Sequence, residues 1–321
     1  MPELFRDRVN AVSIAAASAA VSSFYPTDAV VILSVEPESG RVLVGARADL
    51  DGYGDEFPEA VRAMVSQMPD AGAVAVVVFG PLDKAQETAA ALAADLLVAV
   101  RVHLLVACTS DGVFAEEGGG FIEVAPGPLH ESDQFAAYES VGKATRQTRA
   151  DVLRRHQPLD AGARSALASP IVQADLRLGA VDSPAELLGE ADALVARVRQ
   201  AGGRVSDEDA ALLGALCLTG SRRDALIAAI DREDATAMSE ALRRLATRLA
   251  GPDAVPVLAV CGLAYWISGT GALAGVVVEV ARQFGVTSTL LDMVDELRSS
   301  PVMNPAQVWP ALRERVRASF E

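Results

Sequence analysis

Histidine, cysteine and aromatic residues are all scarce in this sequence. Its 321 residues include three histidines and three cysteines, and Phe, Trp and Tyr together make up only 5%. Cys108, Cys217 and Cys261 lie far apart in apolar stretches, where free cysteine behaves as a small buried hydrophobe. Because the sequence has no Cys/His cluster, we expect neither a metal nor any other cofactor. Unpaired cysteines are typical of cytoplasmic proteins, so we expect that compartment.

Basic residues are also in short supply. Lys and Arg number 28 against 43 Asp and Glu, which gives a formal net charge of −15. The shortage is strongest in residues 1–150, with 10 basic against 21 acidic residues, whereas residues 151–321 have 18 against 22. Nucleic acids and anionic membranes are bound chiefly through Lys and Arg, so we expect neither as a partner. The longest strongly apolar run, Val255 to Ile267, is too short to span a bilayer.

Recognised catalytic signatures are missing as well. The sequence contains no Gly-x-Ser-x-Gly nucleophile elbow. Gly118-Gly119-Gly120 is not followed by Lys and Ser or Thr and does not open a helix pattern, which excludes a P-loop. For His103, His130 and His156, core or capping roles are favoured over catalysis. We therefore predict no catalytic residue and favour a protein that is not an enzyme.

The first part of the chain alternates strand and helix patterns. Two continuous apolar runs are typical of strands buried on both faces, and an earlier pair of runs around a turn predicts a hairpin. This order predicts a mixed α/β domain over residues 1–125, with helices covering the sheet. The predicted strands cover residues 30–35, 41–46, 73–79, 100–107, 113–114 and 121–124, and the predicted helices cover 3–22, 58–66 and 83–95.

Only helix patterns continue beyond a Pro- and Gly-containing connector at residues 126–144. The sequence thus predicts an all-α domain over residues 145–321. Trp266, Gly269 and the small residues that follow occupy positions like those of tetratricopeptide packing, which makes a repeat array over residues 253–299 one alternative. The predicted helices cover residues 145–156, 161–168, 183–201, 206–218, 221–231, 233–250, 253–268, 270–284, 286–299 and 304–319.

Five segments carry a resemblance to a known family. They are Phe24-Tyr25-Pro26-Thr27-Asp28, Arg47-Ala48-Asp49-Leu50, Thr148-Arg149-Ala150-Asp151-Val152-Leu153, Arg223-Asp224-Ala225-Leu226 and Trp266-x-x-Gly269-x-Gly271. In this order they resemble the actinobacterial family catalogued as domain of unknown function 4192, which also has members in phages. The resemblance implies a fold and no reaction.

The sequence also departs from that family's pattern. Many members carry a Cys-Cys-Pro-like segment where this chain has Gly118–Gly120 and Val124–Pro126. Ser23 and Ala29 stand where the pattern has Gly and Ser. These differences indicate a divergent member, and no metal or redox role of the family's cysteines carries over.

Two regions of the helical half are candidates for binding. We interpret Gly269-Thr270-Gly271 as a tight turn between helices, with an anion cradle as the alternative. If Gly271 admits a close helix contact, a larger side chain there overpacks it. Trp266 is expected in the core. Trp309 is the better candidate for a partner contact, and docking of the last helix is the alternative.

Two functions follow from these patterns. The leading hypothesis is a non-enzymatic, cytoplasmic protein-interaction or assembly module that self-associates into a homo-oligomer, since Ala-rich helices present small-residue faces. The alternative is a small-molecule sensor or enzyme whose site lies at strand ends, near Phe24–Asp28, Arg47–Asp49 and Gly80–Pro81. For Arg47 with Asp49, a structural pair and a pocket wall both stay open. We interpret the acidic run of Asp49, Asp51, Asp55 and Glu56 as a solvated loop rather than a metal site.

Overall fold

A computed structural model describes residues 2–36, 42–50, 56–66, 73–96, 100–141, 144–163, 165–300 and 303–320. The chain divides into two compact units, Met1–Ala150 and Asp151–Glu321. Unit 1 contains a six-stranded mixed sheet with helices, and the named elements of unit 2 are all helical. The predicted fold class, an α/β part followed by an all-α part, is confirmed.

The elements of unit 1 follow the predicted order through the sixth strand. The strands are β1 (Ala29–Val35), β2 (Val42–Asp49), β3 (Ala73–Phe79), β4 (Val102–Cys108), β5 (Gly112–Glu117) and β6 (Gly120–Pro126). The helices are α1 (Pro2–Val21), α2 (Glu56–Ser66), α3 (Leu82–Leu96) and α4 (Asp133–Ser140), with a 3-10 turn at Leu129–Glu131.

The strands lie in the order β2-β1-β3-β4-β5-β6. Only β3 and β4 are parallel, because α3 carries the chain back across the sheet between them. In the register of the sheet, Ala29 faces Asp49 on one side and Phe79 on the other, and Phe79 faces Cys108. The start of β1 and the ends of β2, β3 and β4 therefore meet at one edge.

Apolar side chains fill both faces of the central strands. On one face the alanines of α1 pack against Val31 and Leu33, and on the other α3 contributes Leu92. Gly45 in β2 lets the end of α1 approach the sheet, since a Cβ there would lie 2.7 Å from Val21 Cγ1. This contact helps to place the turn after α1 beside the strand ends.

Unit 2 is built from helices that pack around one continuous core. Most of them begin and end within a few residues of the predicted bounds. They are α5 (Arg149–His156, which starts in unit 1), α6 (Ala168–Gly179), α7 (Pro184–Gln200), α8 (Asp207–Leu218), α9 (Gly220–Ala229), α10 (Ala235–Ala246), α11 (Val255–Ile267), α12 (Gly271–Arg282), α13 (Thr289–Ser299) and α14 (Pro305–Arg317), with a 3-10 turn at Gly251–Ala254.

Two helices differ from the prediction. The helix predicted at 161–168 is wrong, because α6 begins at Ala168, where that prediction ends. Ile171 and Leu178 are buried, and Ile171 fills the space above Gly214. Pro170 lies in the first turn of α6, where a missing N–H costs no hydrogen bond. The second helix, α4, lies inside the predicted connector, and the Ser132 side chain caps it by accepting from the N–H of Phe135.

Some predictions fall outside the described residues. They are residues 37–40 of the predicted hairpin turn, residue 41 at the start of the predicted second strand, and Asp51 and Asp55 of the predicted acidic loop.

Candidate functional site

The turn between α1 and β1 has an unusual backbone. Ser23 and Asp28 have φ values of 61° and 44°, in the left-handed region that residues other than glycine seldom adopt. Between them, the N–H of Tyr25 donates to Gln147 O at 2.7 Å, and Tyr25 forms a parallel bridge with Thr148. The turn is thus fixed against a segment more than 120 residues further along the chain.

Arg47 projects from β2 beside this turn. It lies opposite Val31, and its guanidinium carbon is 4.9 Å from the centroid of the buried Phe24 ring. Its Nη2 donates to Asp49 Oδ1 at 2.7 Å. The Arg47 side chain is only 16% exposed, and its buried Nε has no hydrogen-bond partner. Arg47 therefore keeps one N–H donor, on Nε, that makes no hydrogen bond.

The electrostatics of Arg47 combine three influences. Burial lowers the pKa of its guanidinium, and the neighbouring Asp49 carboxylate opposes that effect. The positive charge of Arg149 also lowers the pKa of Arg47, which shows that the two cations act on each other. Arginine stays protonated under such perturbations, so Arg47 and Arg149 bring two positive charges to this corner of unit 1, which also holds the carboxylates of Asp28 and Asp49.

Asp28 and Gly80 complete the edge. The backbone O of Asp28 accepts from the N–H of Leu50 at 2.8 Å, which joins the turn to the end of β2. A Cβ at Gly80 would lie 2.9 Å from Leu50 Cδ2 and 3.6 Å from Asp28 Oδ1, so the absence of a side chain there keeps space beside the Asp28 carboxylate. We call Phe24–Asp28, Arg47–Leu50, Phe79–Gly80 and Thr148–Arg149 the strand-end edge.

An aromatic cluster lies next to this edge. The Tyr25 ring makes edge contacts with Phe79, His130 and Phe135, at centroid distances of 6.3, 5.2 and 5.7 Å. Burial raises the pKa of Tyr25, the nearby Cys108 adds to the rise, and a backbone N–H of His130 opposes it. Burial likewise raises the pKa of Cys108. Neither Tyr25 nor Cys108 forms a nucleophilic anion at neutral pH. The cluster therefore packs beside the strand-end edge and supplies no nucleophile to it.

Both tryptophans of unit 2 are buried within that unit. Trp266 is buried in α11, as the sequence predicts. Trp309 is also buried, and its Nε1 donates to Ile230 O at 3.1 Å, while Arg313 Nε donates to Ala228 O at 2.9 Å. These bonds cap the C-terminal carbonyls of α9 and dock α14 on it. Of the two roles weighed for Trp309, the geometry matches docking of the last helix, and the indole is withdrawn from solvent.

The turn between α11 and α12 is a Schellman motif. Gly269 has a φ of 84°; its N–H donates to Trp266 O, and the N–H of Thr270 donates to Tyr265 O, each at 2.9 Å. A Cβ at Gly271, in contrast, would meet no atom within 4 Å. The condition stated for Gly271, a close helix contact, is therefore not met. Such a contact lies instead at Gly262, where a Cβ would be 3.3 Å from Val294 Cγ1.

One histidine of unit 2 is buried with both ring nitrogens hydrogen-bonded. His156 Nδ1 lies 2.7 Å from Val152 O, and its Nε2 lies 3.0 Å from the hydroxyl of Tyr265. Because a carbonyl only accepts, Nδ1 carries the proton, and the Tyr265 hydroxyl donates to Nε2. Burial lowers the pKa of His156 to about 4, so the ring is neutral at pH 7 and has a structural role.

Two searches of the described residues concern metals and membranes. No group of three or more His, Cys, Asp and Glu side chains in the described ranges converges as a metal site requires. None of the helices in that same part of the chain has the length and hydropathy that crossing a lipid bilayer requires.

Comparison with known proteins places the chain in a family. Residues 13–298 match the model of a family described as a domain of unknown function, DUF4192. The chain belongs to the DUF4192 family. The match includes the strand-end edge and the turn between α11 and α12, whereas α14 with Trp309 lies beyond it. Neither the curated proteins nor the solved structures gave a match to the chain.

Three of the five segments that carry the DUF4192 resemblance meet at the strand-end edge. Phe24–Asp28 contacts Arg47–Leu50 through the Phe24 ring and the Asp28 carbonyl, and it pairs with Thr148 through Tyr25. The sequence-predicted residues Phe24, Pro26, Asp28, Arg47 and Asp49 are thus brought together. Trp266, Gly269, Gly271 and Trp309 belong to unit 2, where Trp309 and Gly269 lie in separate contacts.

Sequence reasoning missed several members of the edge. Tyr25 and Arg149 lay inside the resembling segments but were not selected, although an arginine beside a segment of the family's pattern is a usable signal. For His130, in the connector, a core or capping role was favoured over catalysis. Nothing in the local sequence indicates that its ring packs on Tyr25, because the two residues are about a hundred positions apart.

Proposed function

We propose that this DUF4192 chain is a cytoplasmic protein that binds a small molecule at the strand-end edge of unit 1. The observation that carries the proposal is Arg47, a mostly buried cation with an unused Nε, at the place where three distant segments meet. Polar groups that converge at strand ends of an α/β sheet are a common form of ligand site. The two positive-φ residues of the turn support it, since strained backbone concentrates at binding sites.

The chemistry of the edge favours binding over catalysis. Cys108 and Tyr25, the nucleophile candidates packed beside it, both have raised pKa values and stay protonated at neutral pH. Asp28 is exposed to solvent and accepts no hydrogen from a nearby nucleophile among the described contacts. We therefore propose a sensor or carrier that is not an enzyme.

The proposal departs from the leading hypothesis of the sequence analysis for a structural reason. An interface usually depends on exposed aromatic anchors, and Trp309 was the candidate for a partner contact. It is buried in unit 2, as is Trp266, which was expected in the core. The residues selected for the alternative, Phe24, Arg47 and Asp49, lie in contact with one another.

A ligand screen with site variants tests the proposal. The full chain is screened against neutral, anionic and cationic metabolites by thermal shift, and each compound found is titrated against Asp28→Asn and Asp49→Asn. Asn accepts the left-handed backbone at position 28, and at position 49 it keeps the shape of an exposed side chain, so we expect both variants to fold. We expect at least a fivefold change in the Kd of a true ligand with one of them. Asp224→Asn in unit 2 is the matched control, and equal affinity in all three variants contradicts the site.

Self-association is a second candidate function, and an exposed apolar surface of unit 2 supports it. On α6, Val172 and Leu176 lie one turn apart and are 54% and 63% exposed, and Leu218 at the end of α8 is also exposed. An apolar helix face open to water is typical of association surfaces. The second candidate is thus a self-associating module that forms a homo-oligomer through this face.

Light scattering at micromolar concentration decides the second candidate. A dimer that Leu176→Glu dissociates supports it, and Val141→Glu, at an exposed apolar site of unit 1, is the control. A monomer at all concentrations removes it.

The surroundings of the protein follow from charge and thiols. The three free, buried cysteines favour a reducing compartment, which is the reason for placing the protein in the cytoplasm. The excess of acidic residues argues against a nucleic acid or a membrane as the partner. An actinobacterial or phage source and a divergent position within DUF4192, which the resemblance implies, stay predictions.

A further inference from the structure

Arg47 uses its hydrogen-bonding groups less fully than Arg243 and Arg197 of unit 2. Arg243 binds Glu240 with a complete fork, Nε to Oε2 and Nη2 to Oε1, each at 2.8 Å. Arg197 directs Nε and Nη2 at Asp209 Oδ1, at 3.0 and 2.8 Å. On the same guanidinium edge of Arg47, Nη2 is bound and Nε is not. Half of a bidentate anion site is therefore already formed.

The neighbouring Phe24 ring fixes the orientation of the Arg47 guanidinium. The guanidinium lies over the Phe24 ring at 4.9 Å, and Phe24 is held by the turn that Tyr25 ties to Gln147. Stacking on an aromatic face leaves the in-plane N–H groups free to bind other partners. An arginine oriented in this way loses little side-chain entropy when an anion binds.

The Asp49 carboxylate, which now binds Arg47, can be displaced easily by another anion. The Asp49 side chain is 55% exposed, and its Oδ1 makes a single bond to Nη2. Exposed pairs of this kind contribute little to stability, so an incoming anion loses little by displacing the carboxylate into water. Arg149 adds a second positive charge that acts on the same group.

We propose that the strand-end edge recognises the oxyanion of its small molecule, a carboxylate or a phosphate, through the Nε/Nη2 edge of Arg47 in exchange with Asp49. This inference rests on the proposed function and names the ligand class for the same site. The shared chemistry is a pair of oxygens spaced to accept two parallel N–H bonds.

The test uses simple anions and the full chain. Inorganic phosphate and acetate are titrated separately at constant ionic strength, and amide chemical shifts report binding to the wild type, Arg47→Lys and Asp49→Asn. Lysine keeps the charge but lacks the fork, so we expect binding at least about tenfold weaker. Asp49→Asn removes the competing carboxylate, so we expect binding about fivefold tighter.

Arg223→Lys is the matched control. Arg223 also has a buried Nε without a hydrogen bond, but that Nε lies 3.6 Å from Asp224 Oδ1 in the same helix. Its substitution should leave both titrations unchanged. Binding of phosphate, of acetate or of both with the expected order of variants supports the proposal, and the preferred anion identifies the source of the oxygens.

Three outcomes overturn the inference. They are equal binding by Arg47→Lys and wild type, no tighter binding by Asp49→Asn, and no binding of either anion by any form. If neither anion binds but a neutral metabolite binds with a Kd that changes in Asp28→Asn, the proposal of oxyanion recognition fails. The proposal of a small-molecule site at the strand-end edge then still stands. If no compound of any class binds, the ligand site fails as well. Should Arg47→Lys unfold, Asp49→Asn alone decides, because its increase in affinity needs no loss of structure.

Discussion

Arg47 in unit 1 and Arg243 in unit 2 are both mostly buried, and they use their hydrogen-bond donors differently. Arg243 forms a complete fork with Glu240 and also donates to Arg155 O at 3.1 Å. With Arg244, it holds the pKa of Glu240 near 2, although burial of that carboxylate opposes the effect. Arg47 has one bond to an exposed partner and an idle Nε. The first arrangement stabilises a helical core, whereas the second leaves binding capacity at a strand end.

The two units also differ in the residue that takes a left-handed backbone conformation after a helix. Gly269 follows α11 and Ser23 follows α1, and both take a left-handed conformation just past the helix, with φ values of 84° and 61°. Unit 2 uses glycine there and unit 1 uses serine, which adopts this conformation only at a cost. Local sequence and structure agree at one end and conflict at the other, and conflicts of this kind are typical of functional regions.

The largest expected effect is a pH dependence of unit 2. His156 has a pKa of about 4 in the folded chain, against about 6.5 when unfolded, so between these values only the unfolded chain takes up the proton. The free energy of unfolding should therefore fall by up to about 3 kcal/mol as the pH drops from 6.5 to 4. Both tryptophans lie in unit 2, so their fluorescence in urea follows this unit alone.

His156→Gln is the control for that pH dependence. Glutamine does not titrate, so the slope between pH 4 and 6.5 should shrink, whatever the overall stability of the variant. An unchanged slope would assign the effect to other groups and contradict a buried, neutral His156.

A smaller effect should separate the two arginines. Arg243→Lys loses the fork to Glu240 and should cost about 1–2 kcal/mol in the unfolding of unit 2. Arg47→Lys loses one bond to an exposed carboxylate and should cost about 0.5 kcal/mol or less in the unfolding of unit 1. Tryptophan fluorescence measures the first, and hydrogen exchange of the β1 and β3 amides measures the second. Equal costs would make Arg47 a structural pair and break the comparison.

The turn after α11 gives the next effect in size. Gly269→Ala places a Cβ in a left-handed backbone and should reduce the stability of unit 2 by about 1 kcal/mol. Gly271→Ala is the matched control, because Gly271 is the first residue of α12 and its Cβ position is open. It should be neutral or slightly stabilising in the same urea titration. A loss of stability in the control as large as that of Gly269→Ala would mean that the turn, rather than the φ angle, is at fault.

Much of the fold could be predicted because local patterns decide it. Ala73–Phe79 is a strand with the predicted bounds, since seven consecutive apolar residues in the middle of a sheet leave little alternative. The helix α6 could not be placed correctly, because its position depends on Ile171 reaching Gly214, more than 40 residues away. Local composition in 161–168 is Ala-rich and equally compatible with a helix.

The candidate site was predictable in its residues and not in its geometry. The strand ends indicated Phe24, Arg47 and Asp49, since the ends of neighbouring strands meet at one edge of a sheet. That the Arg47 fork is half-used, and that Arg149 acts on it, depends on contacts across 100 residues. In unit 2, burial of Trp309 depends on the free carbonyls at the end of α9, which only the packed helices bring within reach.

The smallest expected effect concerns Ser23 and sharpens the comparison from the side of unit 1. Ser23→Gly removes the steric cost of the left-handed conformation, and part of that gain is offset by the greater freedom of glycine in the unfolded chain. We expect a net stabilisation of about 0.5 kcal/mol, measured by hydrogen exchange of the β1 amides. Ser22→Gly is the control with the opposite sign, because Ser22 lacks a positive φ and its Oγ donates to Ser18 O at 2.9 Å. If both substitutions destabilise unit 1, the strain attributed to the turn does not exist. If Ser23→Gly stabilises the unit and also weakens acetate or phosphate binding, the strained turn contributes to the arrangement of Phe24 and Arg47.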